Sequence, residues 1–143
     1  MRSYFPNPRT VFVDSGAWLG LADTHDQHHQ EALAIQSNIA VFRPRLVITN
    51  FIIDETYTLI RYRAFHQKAV QFLDDIRAST VTSIRVTPED EARAEEILRQ
   101  YTDKRFSYTD ATSFIIMERL GIEAAFTFDR NFTEYGRFQV LAP

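Results

Sequence analysis

Hydrophobic positions fall into short continuous runs separated by longer stretches with helical spacing. Thr10–Val13 (TVFV), Leu46–Thr49 (LVIT), Val81–Val86, Ala124–Phe128 and Phe138–Leu141 are β-branched or aromatic runs, which predict strands. Between them, Ser15–Ala22 reads as a short helix, and Asp26 as the cap of a second helix reaching Ile39. Phe51–Arg63 and Ala64–Ala78 read as two successive helices. On the latter, Phe65, Ala69, Phe72, Leu73 and Ile76 share one side. Pro88 stands at a helix start, where its missing N–H costs nothing, and that helix runs to about Tyr101. A last helix covers Asp110–Leu120 and is stopped by Gly121. Strands alternating with helices predict an α/β fold, a parallel sheet covered on both faces. Sites in such sheets form beyond the carboxyl ends of the strands, so the residues that follow each strand matter most.

Two of those residues are aspartates. Asp14 follows Val11-Phe12-Val13, and Asp129 ends the run Ala125–Phe128 before a short polar segment, Arg130-Asn131. Each also reads as a helix or turn cap. Side-chain alternation along a strand puts Thr127 on the same side as Asp129. Glu55 is singled out by its helix wheel: at roughly 100° per residue it falls inside the stripe of Phe51, Ile52, Leu59 and Ile60, while Asp54 falls on the opposite side. A glutamate on an apolar face is costly unless it is paired or binds a metal; the plainer alternative is a residue at the stripe's edge reaching water. Asp110 lies in the first turn of its helix, on the face of Phe114 and Met117, where a helix N-terminus favours an anion. Ser107-Tyr108-Thr109-Asp110 is equally a variant capping box. If the four acids converge, their repulsion must be neutralised; two unit charges 4 Å apart repel by roughly 4 kcal/mol at an effective dielectric of 20. An oxygen-only acidic cluster suits a hard cation such as Mg²⁺ or Mn²⁺.

Composition narrows the field. The 143 residues fit one domain, with 45% hydrophobic and 24% charged residues. The first nine read as a loose arm (1–9) before a domain spanning 10–143. With no cysteine, disulfides, thiolate metal sites and cysteine nucleophiles are excluded. MRSYFPNPRT has no apolar signal core and no run is long enough to cross a membrane, so a cytoplasmic protein is expected. The net charge of −3 means that nucleic acid must be met by a local patch. Arg61-Tyr62-Arg63 with Arg43 and Arg45 is the candidate RNA-backbone surface, against a solvated helix end as the alternative. His25, Asp26, His28 and His29 have helical ligand spacing, but an exposed helix start is the favoured reading, because no further zinc-type group completes a site. Trp18, Leu19 and Leu21, with Phe51 and Tyr57, offer an interface, although core packing is the safer reading.

With these acids in this order, the chain resembles a PIN domain, the nuclease fold of the VapC toxins of prokaryotic toxin–antitoxin pairs. The matching segments are Val11-Phe12-Val13-Asp14-Ser15, Thr49-Asn50-Phe51-Ile52-Ile53-Asp54-Glu55, Ser107-Tyr108-Thr109-Asp110-Ala111-Thr112-Ser113-Phe114 and Phe126-Thr127-Phe128-Asp129-Arg130-Asn131-Phe132. The resemblance covers about residue 10 to residue 142. It implies a single domain with a five-stranded parallel sheet flanked by helices on both faces. It also implies a Mg²⁺- or Mn²⁺-dependent endoribonuclease that cleaves RNA through metal-activated water. Asp14, Glu55 and Asp110 then become metal ligands or water-activating carboxylates, Asp129 the fourth acid, and Ser15 and Thr127 the groups that orient them. A small antitoxin protein covering the acidic groove, and a homodimer, are the partners expected. The nine residues before the first strand depart from the compact start common in these toxins. A catalytically inactive PIN module that holds RNA or protein is the alternative. A receiver or aspartyl-phosphatase fold is disfavoured, because Gly16 stands where the phosphatase needs a second aspartate and neither lysine ends a strand.

Overall fold

The computed structural model describes residues 8–143. In chain order its elements are β1 (Thr10–Val13), α1 (Ser15–Ala22), α2 (His29–Phe42), β2 (Arg45–Thr49), α3 (Asn50–Arg63) and α4 (His66–Ala78). They continue with β3 (Thr82–Ile84), α5 (Pro88–Gln100), α6 (Tyr108–Leu120), β4 (Ala124–Phe126), α7 (Arg130–Tyr135) and β5 (Gln139–Val140). The strands form one five-stranded sheet in the order β3-β2-β1-β4-β5, with every pairing parallel.

The central strands are continuous apolar runs because both of their faces are covered. In β1, Phe12 points into one core with Ile48, Ile52, Ile60, Phe114 and Phe132. Val11 and Val13 point into a second core with Ala32, Ile35, Ile39 and Phe126. The first core seats α3 to α7; the second is closed mainly by α2. Phe114 of α6 stacks on Tyr135 at a centroid distance of 4.3 Å and meets Phe132 edge-on at 5.0 Å, which locks α7 onto α6. Of the suggested interface residues, Leu19 is buried, while Trp18, Phe51 and Tyr57 are half-buried against the first core.

The structure corrects several sequence expectations. The second helix is His29–Phe42, with His28 and not Asp26 at its N-cap, because the Asp26 carboxylate accepts the His28 N–H (2.8 Å) in the turn before the helix; it runs three residues past Ile39. The fourth helix starts at His66, leaving Phe65 at its N-cap and 52% exposed instead of on the apolar side. β3, β4 and β5 are shorter than predicted, and β4 stops before Thr127. The polar segment after Asp129 is the start of α7, whose six residues are too few for a helical period to show. Residues 1–7 of the expected arm lie outside the described residues.

One ion pair ties the helices behind the site together. Asp90 closes a capping box with Thr87 at the start of α5 and takes two bonds from Arg119 of α6, at 2.9 and 3.0 Å. Burial pushes the Asp90 pKa up, but the Arg119 guanidinium and the Thr87 hydrogen bonds outweigh it, and the net shift is downward. Asp90→Ala removes one half of the capping box, the bond to the Thr87 N–H, and leaves Arg119 unpaired. Because Arg119 is partly solvated, a loss of about 2 kcal/mol in unfolding free energy is expected, read by urea denaturation. An unchanged midpoint would show that the pair contributes nothing.

Candidate active site

Parallel register brings two strand ends side by side. Val13 of β1 lies opposite Phe126 of β4, and the Asp14 N–H donates to the Phe126 carbonyl at 3.0 Å. Asp14 and Thr127, far apart in sequence, therefore emerge together at the carboxyl edge of the sheet. The Thr127 hydroxyl donates to Asp14 Oδ2 at 2.8 Å and accepts the Asp129 N–H at 3.0 Å. The sequence expectation placed Thr127 beside Asp129 by strand alternation; the strand has already ended there, and a turn built on the Thr127 hydroxyl sets the geometry.

Three of the acids also serve their helices, in different degrees. Asp14 occupies the N-cap position of α1 without a side-chain capping bond, so the cap alternative does not account for it. Asp129 does cap α7, accepting the Asn131 N–H at 2.9 Å. Asp110 completes a capping box with Ser107, as the sequence allowed, and its Oδ2 also accepts Asn131 Nδ2 at 2.8 Å. Asn131 is a site residue that sequence reasoning passed over. Its amide also donates to the Arg105 carbonyl at 3.2 Å, so it clasps the loop before α6, Asp110 and the turn at Asp129. The spacing Asp129-x-Asn131 just after a strand, an Asx turn, was the available signal.

Glu55 comes from the second turn of α3. The buried stripe of that helix is Ile52, Thr56 and Ile60; Glu55 sits half-buried on its flank between Phe51 and Leu59, and Asp54 is exposed. The helix wheel therefore separated the two acids correctly. The Ser15 hydroxyl donates to Glu55 Oε1, joining α1 to α3 beside Asp14.

Charge links these groups in pairs. Burial lifts the Asp14 pKa to about 7; the Thr127 bond opposes the shift, and the charges of Asp110 and Glu55 add to it. Burial likewise lifts Asp110 to about 6, with the Asp129 charge contributing. Asp14 and Asp110 are only 5% and 6% exposed, so ionisation of either is opposed unless a cation arrives. Among the described residues no three acidic or histidine side chains yet stand close enough to enclose an ion. The cluster is an open rim of carboxylate oxygens, and that donor set fits a hard divalent cation.

The candidate arginines do not form one surface. Arg45 begins β2, pairing in register with Thr10, and Arg43 ends α2. Both therefore sit at the amino end of the sheet, opposite the acids, because β2 runs between them and the site. Arg61 and Arg63 lie in the last turn of α3. Arg63 lines a cleft of about 210 Å³ with Asp14, Ser15 and Asp129, whereas Arg61 lines a separate depression with Tyr57 and Tyr62. A larger apolar cleft of about 400 Å³, lined by Trp18, Leu21, Phe72 and Ile76, touches none of the four acids. The His25–His29 segment does not gather as a metal site: the His29 ring bonds the Gly20 carbonyl at 2.7 Å, and the His28 ring stacks on Phe128.

Comparisons with known proteins agree with this architecture. The family model described as PIN domain matches residues 11–137. The 23S rRNA-specific endonuclease VapC20 of Mycobacterium tuberculosis is 35% identical over 132 residues, covering 91% of this chain and 97% of the relative. A VapC ribonuclease of Archaeoglobus fulgidus is 34% identical over 116 residues, 79% of this chain and 73% of the relative. The crystal structure of M. tuberculosis VapC20, titled a Sarcin-Ricin loop cleaving toxin, superposes with a TM-score of 0.85 at 33% identity, covering 93% of this chain and 99% of that one. VapBC2 of Rickettsia felis shares the fold at a TM-score of 0.69 and 10% identity, covering 92% and 96%. Nucleases of this kind use a divalent metal. The chain belongs to the PIN-domain family and is a VapC-type ribonuclease.

Proposed function

We propose that this ribonuclease is the toxin of a toxin–antitoxin pair, that it works with Mg²⁺ or Mn²⁺, and that its substrate is a loop of large-subunit ribosomal RNA. What supports the reading is that four acids from four separate segments act on one another: Asp14 feels the charges of Asp110 and Glu55, and Asp110 that of Asp129. The extent of the likeness to a 23S rRNA-specific endonuclease supports the substrate class.

A bound divalent cation supplies the chemistry that carboxylates alone lack, a water acidified toward neutral pH and charge to offset the transition state at phosphorus. The chain's own residues prepare its place. Thr127 fixes the rotation of the Asp14 carboxylate, Ser15 holds Glu55, and Asn131 holds Asp110. Burial of Asp14 and Asp110 limits competing water and strengthens each charge interaction. We further infer a cytoplasmic protein, active as a homodimer and neutralised by a small antitoxin that covers the acidic groove.

The test uses purified protein with ribosomes and with naked 23S rRNA. Cleavage is expected with Mg²⁺ or Mn²⁺, to stop with excess EDTA, and to return when either ion is restored. A folded, metal-supplied protein that cuts neither substrate would refute the assignment.

A further inference from the structure

Beside the acids the cleft changes character. Its other wall carries a flat ring pair beside Asp26, whose carboxylate is engaged by the His28 N–H: His28, at the N-cap of α2, lies flat on Phe128, with centroids 4.3 Å apart and planes 5° from parallel, and its Nδ1 faces Glu31 at 3.6 Å. Phe128 packs on the second core, and the His28 side chain remains 34% exposed. The pair is held in place from behind. Gly20 of α1 carries no Cβ; one added there would stand 3.2 Å from Ala32 Cβ and 3.6 Å from the Phe128 ring. The Gly20 carbonyl also takes the bond from His29, which pins the start of α2. Arg63 projects into the same cleft and has no ion-pair partner among the described residues.

A flat ring pair with one free cation, opening onto a row of carboxylates, is a poor place for a metal and a good place for a nucleotide. Unpaired bases are held by stacking on aromatic side chains, and the phosphate joined to such a base seeks a guanidinium. The cleft of about 210 Å³ is of the size of one base and shares Asp14, Ser15 and Asp129 with the acid cluster. We propose that His28, stacked on Phe128, and Arg63 form the subsite for an unpaired nucleotide next to the scissile phosphate, His28 taking the base and Arg63 its phosphate. The proposal rests on the nuclease reading and adds the residues that choose where the strand is cut. In this role His28 is a positioning residue.

The test uses an RNA hairpin carrying the sarcin–ricin loop, with 2-aminopurine placed in turn at each unpaired position. It is bound first to Asp14→Asn protein, so that fluorescence is read without cleavage. One position is expected to be quenched on binding, and the quench to be lost in His28→Ala; Phe128→Leu, which keeps the packing, should weaken it. In cleavage assays on the Asp14 protein, His28→Ala should raise KM about five- to tenfold with kcat within twofold, the size expected for one lost base stack. An abasic nucleotide at the quenched position should cost the parent protein as much and cost His28→Ala nothing further. Quenching at no position, or losses from the abasic site and His28→Ala that multiply, would overturn the subsite. If the hairpin is quenched at one His28-dependent position but never cut, the nuclease reading fails while the subsite stands.

Discussion

Asp14→Asn is expected to lower the cleavage rate by about a hundred- to a thousandfold, the usual loss when one preorganised electrostatic group is removed from a transition state. The substitution keeps size and shape, and the amide oxygen can still accept from Thr127 Oγ1. What disappears is the charge, and with it the ability to share a cation with Glu55 and Asp110. Far-ultraviolet dichroism and a cooperative denaturation curve would establish that the variant is folded. Isothermal titration with Mn²⁺ would read the weakened site independently of turnover. Cleavage at the parental rate by pure, folded Asp14→Asn would end the assignment of Asp14 to the reaction.

Without metal, the contribution of the same residue to stability is larger in acid than at neutrality, opposite in sign to that of Asp90. In the folded state the Asp14 pKa stands near 7, against 3.8 for a free carboxyl. The folded chain therefore holds its proton more tightly than the unfolded chain does. That contribution is complete below about pH 4 and is lost as pH rises through about 7. Each tenfold gain in proton affinity is worth about 1.36 kcal/mol, so the full swing is about 4 kcal/mol. Asp110, lifted to about 6, adds to the swing in the same direction. Denaturation in EDTA from pH 4 to 8 should show the parent losing ground to Asp14→Asn as pH rises. Saturating Mn²⁺ should reverse the slope, because ligands must shed their protons to bind it. Parallel curves for the two proteins in EDTA would mean that Asp14 is not held against ionisation.

How much of this was legible in the sequence depended on how local each cause was. β1 and β2 read clearly because burial on both faces demands unbroken apolar runs. Glu55 stood apart from Asp54 because one helix turn is enough to place the two on different sides. α7 escaped because six residues hold fewer than two turns. Asn131 escaped because its meaning lies in a bond to Asp110 across the fold. The arginine patch failed for a geometric reason: Arg45 and Thr49 are the two ends of one strand, about 13 Å apart at some 3.3 Å per residue. The convergence of the acids was written in no local pattern, since it depends on β4 docking beside β1 while β2 and β3 extend the other way. The family resemblance carried that information.

The strand order has a consequence for synthesis. β1 is made first, yet its neighbour on the active-site side, β4, begins only at Ala124. A nascent chain that has reached Leu120 already carries Asp14, Glu55 and Asp110 but lacks Thr127, Asn131 and Asp129. One edge of β1 is then unpaired, and nothing fixes the Asp14 carboxylate. The hold of Thr127 on Asp14 and of Asn131 on Asp110 thus forms only once β4 and the start of α7 have docked beside β1, since pairing of distant segments closes late.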